Sequence, residues 1–176
     1  MTTRSQKNRQ GITLIETVVY VALLGVLSVG ILSSVSHVAI AYRKARAERD
    51  ILVNARLLID TVVHAAQESQ TIYAPTSRFD TDASQLSLVS AVAPLPGHAV
   101  SYVDFWVDNG RLWMKSEGAP ALALSSPTVR VTRFYLQRLA PQSASESVRM
   151  TISLAHAWHP NASSTLITTA TLRGNY

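Results

Sequence analysis

From Ile12 to Tyr42 the chain is an almost unbroken apolar run in which Glu16 is the only fully ionised side chain. About 20 apolar residues suffice to span a bilayer core. This run of 31 therefore predicts a helix that crosses the membrane and continues beyond it. No proline occurs before Pro75, and Gly25 and Gly30 are the only glycines between Ile12 and Ala74. With Pro75 as the first firm stop, a helix from Ile12 to Ser69 is expected, on the order of 85 Å long at 1.5 Å per residue. In its outer half, residues 43–70, Ile51, Ala55, Leu58, Val62 and Ala66 recur on one side, while Arg49, Arg56, Asp60 and Glu68 are among the polar positions. Apolar positions repeating every three to four residues predict an amphipathic helix whose stripe packs against a sheet.

After Pro75 the period falls from 3.6 to two, with turn residues between short runs, which is the pattern of β-strands. The clearest element is a hairpin: a strand at 102–107, a turn at Asp108-Asn109-Gly110, and a returning strand at 111–115. Asn109-Gly110 supplies the positive φ angles that a tight hairpin requires. Further strands are expected at 85–92, 129–138, 148–155 and 166–172. In the run at 148–155, Val148, Met150, Ile152 and Leu154 point one way and Arg149, Thr151 and Ser153 the other, so one face should lie on the helix. Segments rich in Ser, Pro and Ala at 94–97, 119–127, 141–147 and 160–164 read as connectors. The expected fold class is α+β, a long N-terminal helix packed on a C-terminal antiparallel sheet.

Charge and local sequence sharpen the reading of the N-terminus. Arg4, Lys7 and Arg9 precede Gln10-Gly11, which runs straight into Ile12-Thr13-Leu14-Ile15-Glu16. Arg43, Lys44 and Arg46 follow the apolar run, so the positive-inside rule does not choose an orientation. An ordinary secretory signal has a short apolar core followed by small residues at its cleavage site, and none is evident. The residues Gly11, Thr13, Leu14, Ile15 and Glu16, with an apolar helix after them, resemble the N-terminus of the type IV pilin family, which includes type II secretion pseudopilins. Family members usually carry Phe where this chain has Ile12. Many major pilins also carry a proline at the position of Ser33, so the usual kink is not expected there, although Gly30 with Ser33, Ser34 and Ser36 offers a weak point.

The resemblance implies a prepilin peptidase that cuts between Gly11 and Ile12 on the cytoplasmic side, N-methylation of Ile12, and retention of the helix. Gly11 suits a cleavage site, because a residue without a side chain lets a protease approach the backbone closely. The resemblance also implies a role for Glu16. A carboxylate at the centre of a membrane helix costs roughly 2.5 to 3.5 kcal/mol on insertion scales. In the family it pairs with the N-terminal amine of a neighbouring subunit and sets register in a filament. The alternative is a glutamate that snorkels to the interface, seven residues from Arg9. The implied organisation is a leader at 1–11, a membrane and filament-core helix at 12–42, its amphipathic continuation at 43–74, and a β-rich head at 75–176. Implied partners are other pilins or pseudopilins, the prepilin peptidase, an inner-membrane assembly platform and membrane lipid. The head is expected to be exported from a single-pass inner-membrane position and carried into a pilus or pseudopilus.

Composition narrows the remaining classes. The formal charge of +5 falls to +2 once Arg4, Lys7 and Arg9 leave, so basicity is no argument for nucleic acid. The chain has no cysteine and therefore no disulfide, unlike many major pilins of Gram-negative bacteria with a C-terminal disulfide loop, which argues against a major pilin of that type and leaves minor pilins, pseudopilins and Gram-positive or deep-branching systems open. No catalytic motif, cofactor site or metal site is expected. His156 and His159 stand three apart without a third ligand at a recognisable spacing. Asp80 and Asp82 lack the glycine and terminal glutamate of a calcium loop and read as turn or capping residues. No Gly-x-Ser-x-Gly elbow, phosphate loop or dinucleotide motif occurs. Trp106, Trp113, Trp158, Tyr102, Phe105 and Tyr135 read as core or cross-strand aromatics before a binding surface.

The leading expectation is thus a structural subunit of a type IV pilus or type II secretion-like filament. Two alternatives stand beside it. One is a filament-tip module for DNA uptake, with Arg130, Arg133, Arg138 and Arg149 on phosphates, nucleic acid being the less favoured partner. The other is an uncleaved signal-anchored membrane protein.

Overall fold

A computed structural model describes residues 13–92, 96–139, 146–159 and 161–173. One helix, α1 (Leu14–Glu68), opens the chain. Eight strands follow: β1 (Ser69–Ile72), β2 (Gln85–Ser90), β3 (Ser101–Asp108), β4 (Arg111–Ser116), β5 (Leu122–Ala123), β6 (Val129–Leu139), β7 (Ser147–His156) and β8 (Ser163–Thr171). Residues up to Arg43 and residues from Lys44 onward form two compact units.

In the first unit the helix is a bare apolar surface. Leu14, Val21, Val26, Leu32 and Val38 are all more than half exposed. The hydroxyls of Ser28, Ser34 and Ser36 donate to the carbonyls of Leu24, Gly30 and Leu32 at 2.7, 3.0 and 3.0 Å. Each polar side chain thereby finds an acceptor within its own helix, which an apolar surrounding requires. The helix runs without interruption through the weak point suggested at residues 30–36.

In the second unit the expected stripe is buried. Ile51, Ala55, Leu58, Val62 and Ala66, with Ala47 one turn earlier, are each at most 2% exposed. They share one core with Leu86, Leu88, Phe105 and Leu112 of the first sheet and with Phe134, Leu136, Met150, Ile152 and Leu154 of the second. The fold is α+β, a long helix packed against antiparallel strands, and those strands divide between two sheets. The first has the order β1-β2-β3-β4-β5 and the second β6-β7-β8, all neighbours antiparallel.

The helix ends at Glu68, one residue short of the expected Ser69, and β1 takes up residues 69–72, so the amphipathic continuation does not reach residue 74. Ser69 is buried, its hydroxyl donating to the Ala65 carbonyl at 2.6 Å, and the chain enters β1 at once to pair with β2. The Ser90 hydroxyl donates to the Glu68 carbonyl at 3.2 Å, satisfying one of the acceptors that a helix C-terminus leaves open. Tertiary pairing, and not proline, terminates the helix.

The hairpin at Asn109-Gly110 forms as expected, with φ of 50° and 72°. Glycine suits position 110 because its φ is positive and the Arg130 side chain lies against it. A Cβ there would stand 2.7 Å from Arg130 Cγ, and the Gly110 carbonyl accepts from Val131 N–H at 2.8 Å, so the hairpin tip docks on β6. Asn54 ties the helix to the next loop, its Oδ1 accepting from Ser126 N–H at 2.9 Å.

Glu146 joins the two sheets at their other end. Its Oε2 accepts from Ile72 N–H at 3.1 Å and from the Thr71 hydroxyl at 3.3 Å, and its Oε1 receives the Arg138 guanidinium. Burial pushes this carboxyl up, but the bonds from Arg138, Ile72 and Thr71 and the charge of Arg138 outweigh it and hold the group below the ordinary carboxylate range. A carboxyl whose folded pKa is depressed stabilises the fold above its unfolded value, here 4.5, and that stability is lost as pH falls through the folded value. Glu146→Ala should cost about 1 to 3 kcal/mol at neutral pH, because Ile72 N–H loses its acceptor. Denaturant titrations at pH 7 and at a pH below the folded value should therefore show the gap between variant and parent narrowing in acid, while the part owed to the unpaired Ile72 N–H persists.

Candidate functional site

Gly11 and Ile12 lie outside the described residues. The described part of the N-terminal motif begins at Thr13, whose carbonyl accepts from Thr17 N–H at 3.2 Å. Glu16 therefore sits in the first turn of α1, where unpaired N–H groups and the helix dipole favour a negative charge. One turn later, Tyr20 donates its hydroxyl to Glu16 Oε1 at 3.2 Å. That bond satisfies one carboxylate oxygen from within the helix and leaves the other for an external donor. Sequence reasoning missed Tyr20, although a tyrosine four residues after an acid on an apolar helix was the available signal. Around this pair Leu14, Ile15, Val19 and Leu23 are all at least half exposed, so Glu16 is the one formal charge on a surface built to be covered.

The helix that carries this site is long and apolar enough to cross a membrane, with a mean hydropathy of 2.3 over its most apolar window. Within the described residues no side chain of that window is buried by the rest of the chain. A soluble protein would bury such a window in its core.

The other candidates separate. On the solvent face of the second sheet, Arg133 lies opposite Ser153 and Arg149 opposite Gln137, while Arg130 lies opposite Ala155 on the same side. Arg133 donates to Asp82 at 2.7 Å and stacks its guanidinium 4.8 Å from the Tyr135 ring, and Arg138 is held by Glu146. The four arginines thus do not form one open cationic patch. Asp80 and Asp82 act as docking residues: Asp80, at a positive φ of 59°, accepts from the Tyr135 hydroxyl at 3.1 Å, and both fasten the connector after β1 to β6.

The His156 and His159 rings lie 5.4 Å apart, and His156 Nδ1 accepts from Trp158 N–H at 3.2 Å, which fits a loop brace. Among the described residues no group of three His, Cys, Asp or Glu side chains is placed to hold a metal. The aromatics are likewise dispersed. Phe105 is core, Trp106 faces Trp113 across β3 and β4, Tyr102 meets Tyr73 edge to face at 5.2 Å, and Trp158 is 77% exposed.

Residues 6–32 match the family model described as the prokaryotic N-terminal methylation motif. The N-terminus carries a prokaryotic N-terminal methylation motif, which supports the resemblance to type IV pilins and pseudopilins. The matched stretch contains Gly11, Ile12 and Glu16 and most of the exposed apolar half of α1. No curated protein and no solved structure matches the chain. The pilin-type motif indicates processing by prepilin peptidase and association with other pilins, and its family is structural rather than enzymatic.

Proposed function

We propose that this pilin-like chain is a minor pilin or pseudopilin, a structural subunit of a type IV pilus or a type II secretion-like filament. Prepilin peptidase removes residues 1–11 between Gly11 and Ile12, and the new Ile12 amine is methylated. Residues 12–42 hold the subunit in the inner membrane and then form filament core. Residues 43–74 tie this anchor to an exported head. The oxygen of Glu16 not engaged by Tyr20 receives the N-terminal amine of a neighbour as the subunit leaves the bilayer. What carries this reading is one charged side chain in the first turn of α1, on its exposed apolar part and inside a matched methylation motif. Chemistry by the head is not part of it.

The proposal is tested by expressing the tagged full chain in a bacterium that has a prepilin peptidase and an assembly ATPase, then shearing surface filaments from the cells. The chain should co-sediment with the filaments in processed form and be lost from that fraction when the ATPase is inactivated. Processed chain that stays in the membrane fraction under all conditions would remove the filament assignment.

A further inference from the structure

Among the described residues β8 has one paired edge and one uncovered edge. Its register against β7 runs unbroken from Thr171 opposite Ser147 to Ser163 opposite Ala155. At the two ends His156 N–H donates to the Ala162 carbonyl at 3.0 Å and Leu172 N–H to the Glu146 carbonyl at 2.8 Å. Hydrogen-bonded and non-hydrogen-bonded positions alternate along an antiparallel pair, so the even-numbered residues of β8 turn their backbone groups to β7 and the odd-numbered ones turn theirs away. The side chains agree, since Thr165 and Thr171 stand hydroxyl to hydroxyl with Ser153 and Ser147 at 2.8 and 3.0 Å, the closer approach of non-hydrogen-bonded pairs. Arg173, the next odd residue, donates outward to the Ser69 carbonyl at 3.1 Å and closes the edge there. Ahead of it the outward N–H and C=O groups of Ser163, Thr165, Ile167 and Thr169 have no partner among the described residues. Exposed edges are ordinarily blunted by charge, proline or a bulge, and β8 has none of the three.

A groove of about 520 Å³ lies between this strand and α1, lined by Leu52, Val53, Leu57 and Leu166 together with Arg56 and Asp60. Leu52, Val53 and Leu57 are 55%, 60% and 53% exposed, whereas the opposite side of the same turns fills the core. An apolar patch beside a row of unpaired backbone groups asks for an occupant that answers both. We propose that the groove takes an extended segment of another polypeptide, which adds to β8 as a fourth strand of the second sheet. Its backbone pairs with the outward groups of Ser163, Thr165, Ile167 and Thr169, and every second side chain enters the groove over Leu52, Val53 and Leu57. The contacts define its chemistry. Alternate positions are apolar, and the segment is uncharged, because β8 carries no charge and Arg56 and Asp60 balance one another along the groove. Closure of the edge at Arg173 limits the added strand to about seven residues, the stretch opposite residues 163–169. A second copy of this chain does not supply the segment. A two-fold axis that pairs β8 with β8 reverses α1 in the partner, whereas copies anchored through α1 in one membrane share its direction. That exclusion rests on the subunit reading above, and the site itself stands on the second unit alone.

The test titrates the full chain in detergent with a fluorescent peptide of about seven residues in which leucine and threonine alternate, read by anisotropy against empty micelles. Binding should saturate and be competed by unlabelled peptide. In an extended strand all leucine amides face one edge and all threonine amides the other. Methyl groups on the amide nitrogens of one of these sets should therefore weaken binding at least about tenfold, and those on the other set should not. Ile167→Pro removes an outward N–H and no bond to β7, a place where an edge strand tolerates proline, so it should abolish binding while leaving the urea midpoint unchanged. Leu57→Ser, in the groove, should weaken binding with the edge intact. Binding that survives methylation of either set, equal uptake by empty micelles, or no binding at millimolar peptide would overturn the inference. Dimers of the chain itself that Ile167→Pro abolishes would also overturn it, since the occupant would then be a second copy. Leader removal, read by intact mass of the same preparation, is independent of all these outcomes, so a failure here leaves the pilin reading standing and a retained leader defeats that reading alone.

Discussion

Glu16→Ala should leave leader removal intact and reduce incorporation into sheared filaments on the order of 100-fold or more. Two processes that share one short segment are separated by this substitution. Cleavage requires the peptidase to reach the backbone at Gly11 and Ile12, and Glu16 lies five residues beyond Gly11. In the assembly proposed above the residue lies between apolar helices, where an N-terminal amine without its counter-charge would be a buried unpaired ion, the situation in which loss of one partner is most costly. Glu16→Gln should be nearly as defective, since it retains a hydrogen-bond acceptor for Tyr20 but not the charge. Tyr20→Phe keeps the charge and removes one bond, so it should lower incorporation only several-fold. Quantitative immunoblots of the membrane and sheared fractions check all three. Wild-type incorporation by Glu16→Ala would mean that the carboxylate merely snorkels at the interface.

Phe134→Ala should destabilise the second unit by about 3 to 5 kcal/mol. Phe134 is fully buried at the centre of β6, opposite Ile152 of β7 and in one core with the helix stripe. Its N–H donates to the Asp82 carbonyl and its carbonyl accepts from Ser84 N–H, at 2.8 and 2.9 Å, so the strand cannot easily shift to fill the space. Pulse proteolysis of the full chain in detergent across a urea series measures the loss. Trp158→Ala serves as the control, because a side chain 77% exposed should change stability by less than about 0.5 kcal/mol.

The parts of this fold that can be read from sequence are those set by local periodicity. The stripe from Ile51 to Ala66 is legible because five positions at helical spacing leave little ambiguity, and Asn109-Gly110 is legible because few residue pairs adopt its backbone angles. What is not legible depends on partners distant in sequence. Ser69-Gln70-Thr71-Ile72 carries no glycine or proline to mark the end of a helix, and it becomes β1 only because β2 lies beside it. The way the two sheets meet has no sequence signal either, since the contacts that join them, Gly110 against Arg130 and Glu146 against Thr71 and Ile72, are between residues distant in sequence. At the candidate site Glu16 stands out as a lone charge. Tyr20 does not, because a tyrosine in an apolar helix looks like any other interfacial aromatic until its hydroxyl is seen on the carboxylate.

The measurement that tests the central claim most directly is the N-terminal residue and intact mass of the membrane-bound product, from the full chain expressed with and without a prepilin peptidase. The account predicts a chain beginning at Ile12, lighter by the 11-residue leader and heavier by one methyl group, only when the peptidase is present. An uncleaved chain that still begins at Met1 beside an active peptidase would contradict it and leave a signal-anchored membrane protein.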